Sequence, residues 1–311
     1  LEGGDRGFAF ATGMAAVSAC FMLLSKGDHI VITEDVYGGT YRFVTKVLPR
    51  FGITHTFVDF TDLQAVRAAV TPETKLLYIE TPSNPMLGIT DIASIVNIAK
   101  EVGALTFLDN TFMTPIHQRP LDLGVDVVIH SATKFLSGHS DIVAGLVVTK
   151  DPTLSEQVYF IQNSFGSCLG VQDSFTLIQN MKTTAVRFNE SARVASVLAT
   201  FLDNHPLVEK VYYPGLASHP GADIHARQST SAGAVLSFSL PSYDVAKVFV
   251  EAMQIPVFAV SLGGVESILS YPAKMSHAAM EPEERAKRGI TDGLLRFSVG
   301  LENEHDLLED F

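Results

Sequence analysis

The chain has 311 residues, 47% of them apolar, which is enough to bury a large core in one big domain or two of ordinary size. Its 22 Lys plus Arg against 34 Asp plus Glu give a net charge of -12, which argues against a sequence-independent nucleic-acid binder that must neutralise phosphates. Two distant cysteines, Cys20 and Cys168, make no disulfide framework and point to a reducing cytosol, and no stretch approaches the roughly 18 consecutive apolar residues of a membrane span.

The first residue is Leu1 and the last is Phe311 inside the amphipathic run "EHDLLEDF", so both ends read as cut. In "FATGMAAVSACFMLL", Gly13 begins an apolar helix whose free amides form an anion site, unless the small residues serve packing alone. From Asp28 to Lys150 short β-branched runs alternate with helical patterns. "HIVITE", "ITHTFVD", "KLLYIET", "ALTFLDN", "VDVVIHS" and "AGLVVTK" have the continuous apolar character of strands buried on both faces. Between them, "DLQAVRAAV" and "ITDIASIVNIAKEVG" place apolar residues three and four apart, and the second ends at Gly103, a helix stop.

This alternation predicts a mostly parallel sheet wrapped by helices. After Lys150 the texture shifts to long helices, "DPTLSEQVYFIQN" and a run from Gln172 to about Leu202. Then come "VEKVYYP", a strand "AVLSFSL", a helix "YDVAKVFVEAM", the Gly-rich "SLGGVES" and a last strand "LLRFSVG". The division is a large domain over 1–182 and a smaller α/β domain over 183–311.

Ligands of such sheets sit where strands end, which selects Glu80 to Asn84, Asp109 to Thr111 and Ser131 to Lys134. Asp109 is either a buried carboxylate facing a donor or a turn aspartate. Ser131 and Thr133 offer hydroxyls for a phosphate, and Lys134 in "HSATKFLSGHSD" offers an amine for a Schiff base; each alone is an ordinary loop residue. Tyr37, beside two glycines in "DVYGGTYR", can stack on a flat ring or close a turn. A phosphate site at a helix start, a carboxylate for a ring nitrogen, an aromatic face and a lysine amine together fit pyridoxal 5'-phosphate.

"TGMAA", "DVYGGTYR", "ETPSNP", "LDNTF", "SATKFLSGHSD", "SLGGVES" and "LRFSVGLE" closely resemble the Cys/Met-metabolism family of pyridoxal-phosphate enzymes, the cystathionine synthases and lyases. The likeness runs in order over essentially the whole chain. It implies the aspartate aminotransferase type of fold (fold type I) and homotetramers built as dimers of dimers. It also implies roles: Lys134 as Schiff-base lysine and proton shuttle, Asp109 at the pyridine nitrogen, Tyr37 on the ring, and Asn84 near the ring hydroxyl. Gly13, Met14, Ser131 and Thr133 are placed at the phosphate, Arg296 and Ser261 at the substrate carboxylate, and Glu266 at the substrate's distal part.

Three departures stand out. The family's tyrosine and arginine of an upstream "YSR" stretch have no counterpart, so an N-terminal arm is absent from the chain. Gln179 and Asn180 in "QNMKTTAVR" replace the arginine and glycine of many relatives, and Gly39 stands where methionine γ-lyases carry cysteine.

The stretch "GGVESILSYPAKMSHAAM" looks most like bacterial cystathionine lyases. The leading expectation is therefore a cytoplasmic carbon–sulfur lyase acting on L-cystathionine by β- or γ-elimination, with γ-replacement on an O-acylhomoserine as the alternative. A hydrolase triad of Ser137, His139 and Asp141 lacks a GxSxG elbow. A metal site at His130, His139 and Asp141 lacks a standard ligand spacing. A non-catalytic binding protein on the same fold is the remaining reading.

Overall fold

The computed structural model describes residues 1–275, 283, 285 and 288–311; the motif end "SHAAM", residues 276–280, lies outside them. Its larger sheet has seven strands, β1 (Arg6–Phe10), β2 (His29–Thr33), β3 (Thr54–Val58), β4 (Thr74–Glu80), β5 (Leu105–Asp109), β6 (Val127–Ser131) and β7 (Gly145–Thr149). Their order is β1-β7-β6-β5-β4-β2-β3. The pairs from β6 through β3 are parallel, while β7 and β1 add antiparallel strands at one edge. The chain is thus the α/β protein with a mostly parallel large sheet that the alternation predicts. Strand β1 was not expected, because its short "RGFAF" alternates only weakly and takes its register from β7.

Helices α1 (Gly13–Phe21), α2 (Gly38–Lys46), α3 (Leu63–Ala69) and α4 (Ile92–Val102) accompany this sheet. Local chemistry fixes their ends. The Thr12 hydroxyl accepts the Ala15 N–H at 2.8 Å, Asp62 and Asp91 cap α3 and α4, and Gly103 ends α4 at φ 69°, as expected. One face of the sheet packs Ile30, Tyr78, Phe107 and Ile129 against α1, and the other packs Val31, Leu77, Leu108 and Val128 against α4. Burial on both faces is why these strands read as unbroken apolar runs.

The predicted long helical run breaks at Lys182 into α5 (Val171–Met181) and α6 (Thr184–Asp203). A second sheet of five strands follows, β8 (Lys210–Tyr212), β9 (Val235–Ser239), β10 (Val257–Phe258), β11 (Ile268–Ser270) and β12 (Leu294–Ser298), in the order β10-β11-β12-β9-β8. Strands β10 and β11 went unread because two or three residues are too few to show a period. A separate core of Leu198, Phe238, Leu269, Leu295 and Phe297 holds this sheet to α6. A smaller cluster of Leu87, Phe135, Phe188 and Leu262 joins the two layers beside Lys134. No helix among the described residues is long and apolar enough to cross a membrane.

Candidate active site

The parallel strands carry carboxylates to their C-terminal ends. Glu80 and Asp109 end β4 and β5 opposite each other in register. Glu80 is buried and its Oε2 accepts the Tyr37 N–H at 2.9 Å, which pins the turn into α2. Burial, and then the neighbouring Asp109, push its carboxyl well above the usual range. Asp109 is also pushed up by burial; the Thr111 side chain, and the Thr111 N–H donating to Oδ1 at 3.0 Å, pull the other way. Asp35, just beyond β2, is raised to about 6 by burial against the pull of Arg288.

Tyr37 precedes α2 with its ring half exposed. A Cβ on Gly39 would lie 2.5 Å from that ring and 2.7 Å from the Met14 sulfur, so glycine lets the Tyr37 ring and the start of α1 come together. Gly13 lies against Ser131 a little less tightly, a Cβ there meeting the Ser131 Oγ at 3.0 Å. Because Thr12 caps Ala15 and its carbonyl accepts Ala16, the N–H groups of Gly13 and Met14 precede the first intrahelical bonds and face out of the helix. The Thr133 hydroxyl, by contrast, exchanges hydrogen bonds with the Ala144 backbone at 3.0 and 3.2 Å.

Lys134 sits in the tight turn after β6, where its Nζ donates to the Ser261 Oγ at 2.5 Å. Burial, and then Arg296, lower its pKa to about 8. Ser261 has a left-handed φ of 88°, held because its carbonyl accepts Arg296 Nη2 at 2.6 Å and Gly263 N–H donates to Ser298 Oγ at 2.8 Å. Arg296 is 4% exposed and donates to Asn84 Oδ1, the Ser261 carbonyl and Ser270 Oγ, all neutral, while its Nε has no partner among the described residues. It forms no ion pair with the described residues, and burial lowers its pKa to about 10. A buried guanidinium among neutral acceptors is incomplete without an anion.

Glu266 is half-buried and accepts from the Ser140 hydroxyl, and Val265 N–H donates to the Gly138 carbonyl at 2.9 Å. The segment bearing Glu266 is thereby tied to the turn bearing Lys134. Sequence reasoning left Glu80 among the strand-end candidates without a role, although its place at the end of a predicted strand was the available signal. Ser270 had no such signal, since β11 was not read.

The hydrolase geometry is not formed. Ser137 Oγ donates directly to Asp141 Oδ1 at 2.9 Å, and His139 Nδ1 turns instead to the Ser137 carbonyl at 2.7 Å. His130 pairs with buried Glu2 at 2.7 Å, and no group of three ligating side chains capable of holding a metal occurs among the described residues.

The family model for Cys/Met metabolism PLP-dependent enzymes matches residues 1–311. The chain is 64% identical over 311 residues to cystathionine beta-lyase MetC of Bacillus subtilis (strain 168), covering 100% of this chain and 80% of that protein. It is 50% identical over 310 residues to cystathionine gamma-lyase of the same organism, covering 100% of this chain and 82% of that one. The crystal structure of cystathionine gamma-lyase from Lactobacillus plantarum complexed with L-serine superposes with a TM-score of 0.96 at 48% identity, over 99% of this chain and 81% of that one. That of metB from Corynebacterium glutamicum gives 0.96 at 41%, over 99% and 80%.

The residues fit pyridoxal phosphate. The Gly13–Ser131 contact leaves a side-chain-free cradle at a helix N-terminus, Asp109 offers a carboxylate, Lys134 an amine of lowered pKa, and Arg296 Nε an unanswered donor.

Proposed function

This chain belongs to the Cys/Met metabolism PLP-dependent enzyme family, and from that premise we propose that it cleaves L-cystathionine by β-elimination, consuming one water and giving homocysteine, pyruvate and ammonia. The observation that carries the site reading is Arg296, a buried cation surrounded by neutral acceptors and within electrostatic reach of the Lys134 amine. The 64% identity to a β-lyase, against 50% to a γ-lyase, favours β-elimination. γ-Elimination to cysteine and 2-oxobutyrate is the second reading, favoured by the 48% identical γ-lyase structure.

Pyridoxal phosphate, when bound, supplies an electron sink for the pair left at an amino acid's α-carbon when its proton departs. Gly13 and Met14 N–H groups and the Ser131 and Thr133 hydroxyls would hold the phosphate. Asp109 would serve the ring nitrogen, Tyr37 the ring face and Asn84 the ring hydroxyl. Arg296 takes the substrate carboxylate on its planar fork, with Ser261 beside it. Lys134, whose pKa burial lowers to about 8, would take the α-proton at Nζ and return a proton later. Glu266 faces the distal part of the substrate.

The two layers correspond to domains over 1–182 and 183–311. The enzyme works in the cytoplasm as a homo-oligomer, a dimer of dimers. Exposed Phe160 and Phe165 at 68% and 65%, with Phe175 and Ile178 of α5 both at 59%, support such an apolar contact. The test is to load the protein with pyridoxal phosphate, supply L-cystathionine and identify the keto acid by mass. Pyruvate is expected, 2-oxobutyrate moves the assignment to γ-elimination, and no keto acid overturns the lyase reading.

A further inference from the structure

Arg187, in the first turn of α6, is 8% exposed. Its guanidinium donates to the carbonyls of Phe135 at 3.0 Å, Leu136 at 3.3 Å and Asn180 at 3.0 Å, and to the Thr184 hydroxyl at 3.3 Å, while Nε donates to Thr183 Oγ1 at 3.0 Å. Two of these carbonyls belong to the turn that follows Lys134. Gly138 closes that turn at φ 75°, and a Cβ there would lie 1.8 Å from Arg187 Nη1, so glycine is required by the arginine's position.

The same turn is held from its other side. A Cβ on Gly263 would meet the Phe135 N at 2.7 Å, and the Phe135 ring packs edge-on to Phe188 of α6 with centroids 4.7 Å apart. Residues 135–138 are therefore pressed between α6 and the segment that carries Ser261 and Glu266, and Gly138 both accepts from Val265 and donates to the Lys134 carbonyl at 2.7 Å. Asn180, one of the departures from the family pattern, takes part. Its carbonyl accepts Arg187, and its amide donates to Ser137 Oγ at 2.9 Å and Asp141 Oδ2 at 3.0 Å.

We propose that Arg187 is a positioning residue that fixes the backbone behind Lys134, and through Gly138 fixes the Glu266 segment, so that the amine and the substrate-facing carboxylate keep one mutual geometry. This rests on the roles given above to Lys134 and Glu266. A planar fork suits the task, since several carbonyls must be held at once and a lysine ammonium on a flexible stem cannot reproduce the arrangement.

The test compares wild type with Arg187→Gln, Arg187→Lys and Gly138→Ala, the last displacing the guanidinium without removing it. Each is loaded with pyridoxal phosphate and read for the pH midpoint of its visible absorption, for kcat and KM on L-cystathionine per loaded site, and for Tm. The expected result is a moved absorption midpoint and a fall in kcat of about a hundredfold in Arg187→Gln, little recovery in Arg187→Lys, and a smaller change of the same sense in Gly138→Ala. An unmoved midpoint with kcat and KM within about twofold of wild type, whatever the Tm, overturns the proposal. Should Arg187→Gln fail to fold, the same comparison on Gly138→Ala decides. Borohydride reduction of loaded wild type, followed by peptide mass, separates the two levels. Wild type in which Lys134 is not the attached residue overturns both readings, whereas attached wild type with unchanged variants overturns this one alone.

Discussion

The carboxylates at the strand ends and the cations Lys134 and Arg296 are both stripped of water by burial and respond in opposite directions. Asp35, Glu80 and Asp109 are pushed up, while Lys134 and Arg296 are pushed down, to about 8 and about 10. In every case burial is the largest cause, and no ion pair joins one set to the other among the described residues. The acidic wall is braced by backbone donors, Tyr37 N–H on Glu80 and Thr111 N–H on Asp109. The basic wall is braced by neutral oxygens, Ser261 Oγ on Lys134 and three acceptors on Arg296. Such a site is poised to gain from a ligand that brings a cationic ring nitrogen to one wall and a carboxylate to the other.

The sharpest break of this comparison is Lys134→Met. Loss of both attachment and proton transfer should lower cystathionine cleavage by about four orders of magnitude. The cofactor-free variant should also be more stable at pH 7, by of the order of 3 kcal/mol, because the folded wild type holds its lysine pKa near 8 against the ordinary 10.5. That cost is full below about pH 8 and fades toward pH 10.5, so urea unfolding at pH 7 and pH 10 should show a large gain and then a small one. Equal gains at both would count against a buried charge as the cause.

Next in size, Arg296→Lys should raise KM for cystathionine by about a hundredfold, since one ammonium cannot replace a planar fork. Steady-state kinetics check it, and an unchanged KM would remove Arg296 from the substrate. Asp109→Asn should reduce kcat by between about tenfold and a hundredfold, the worth of a charge-assisted hydrogen bond. An effect confined to KM would contradict its place at the ring nitrogen.

The last effect, Asp35→Asn, touches stability and leaves turnover aside. A carboxyl raised to about 6 favours the folded state fully below about pH 3.8, and that contribution is lost as pH rises through 6. The variant should therefore be more stable than wild type at pH 8 by up to about 3 kcal/mol, less what Arg288 loses, with the difference closing by pH 4. Urea midpoints that differ equally at both pH values would show that burial of charge is not responsible.

Much of the fold was readable because strands buried on both faces leave apolar runs, and capped helices leave Asp62, Asp91 and Gly103 as local marks. Lys134, Asp109 and the start of α1 were legible because each follows or opens such an element. Arg187 was not, for it lies one turn into a helix and the two carbonyls it holds in the Lys134 turn lie about 50 residues upstream, where backbone groups leave no trace in side-chain identity. The seeming triad at Ser137, His139 and Asp141 failed for the converse reason: proximity in sequence placed Ser137 and Asp141 in direct contact and left the histidine outside.

By itself, then, the sequence determined the alternating architecture, the family motifs and the types of group at the strand ends, since these depend on local periodicity and residue chemistry. Only the tertiary structure decided that Glu80 stands beside Asp109, that Ser261 holds Lys134 from 127 residues away, and that Arg296 is buried among neutral acceptors. Those contacts depend on strand register and on how the second sheet packs against the first, and the pKa shifts follow from the burial that packing creates.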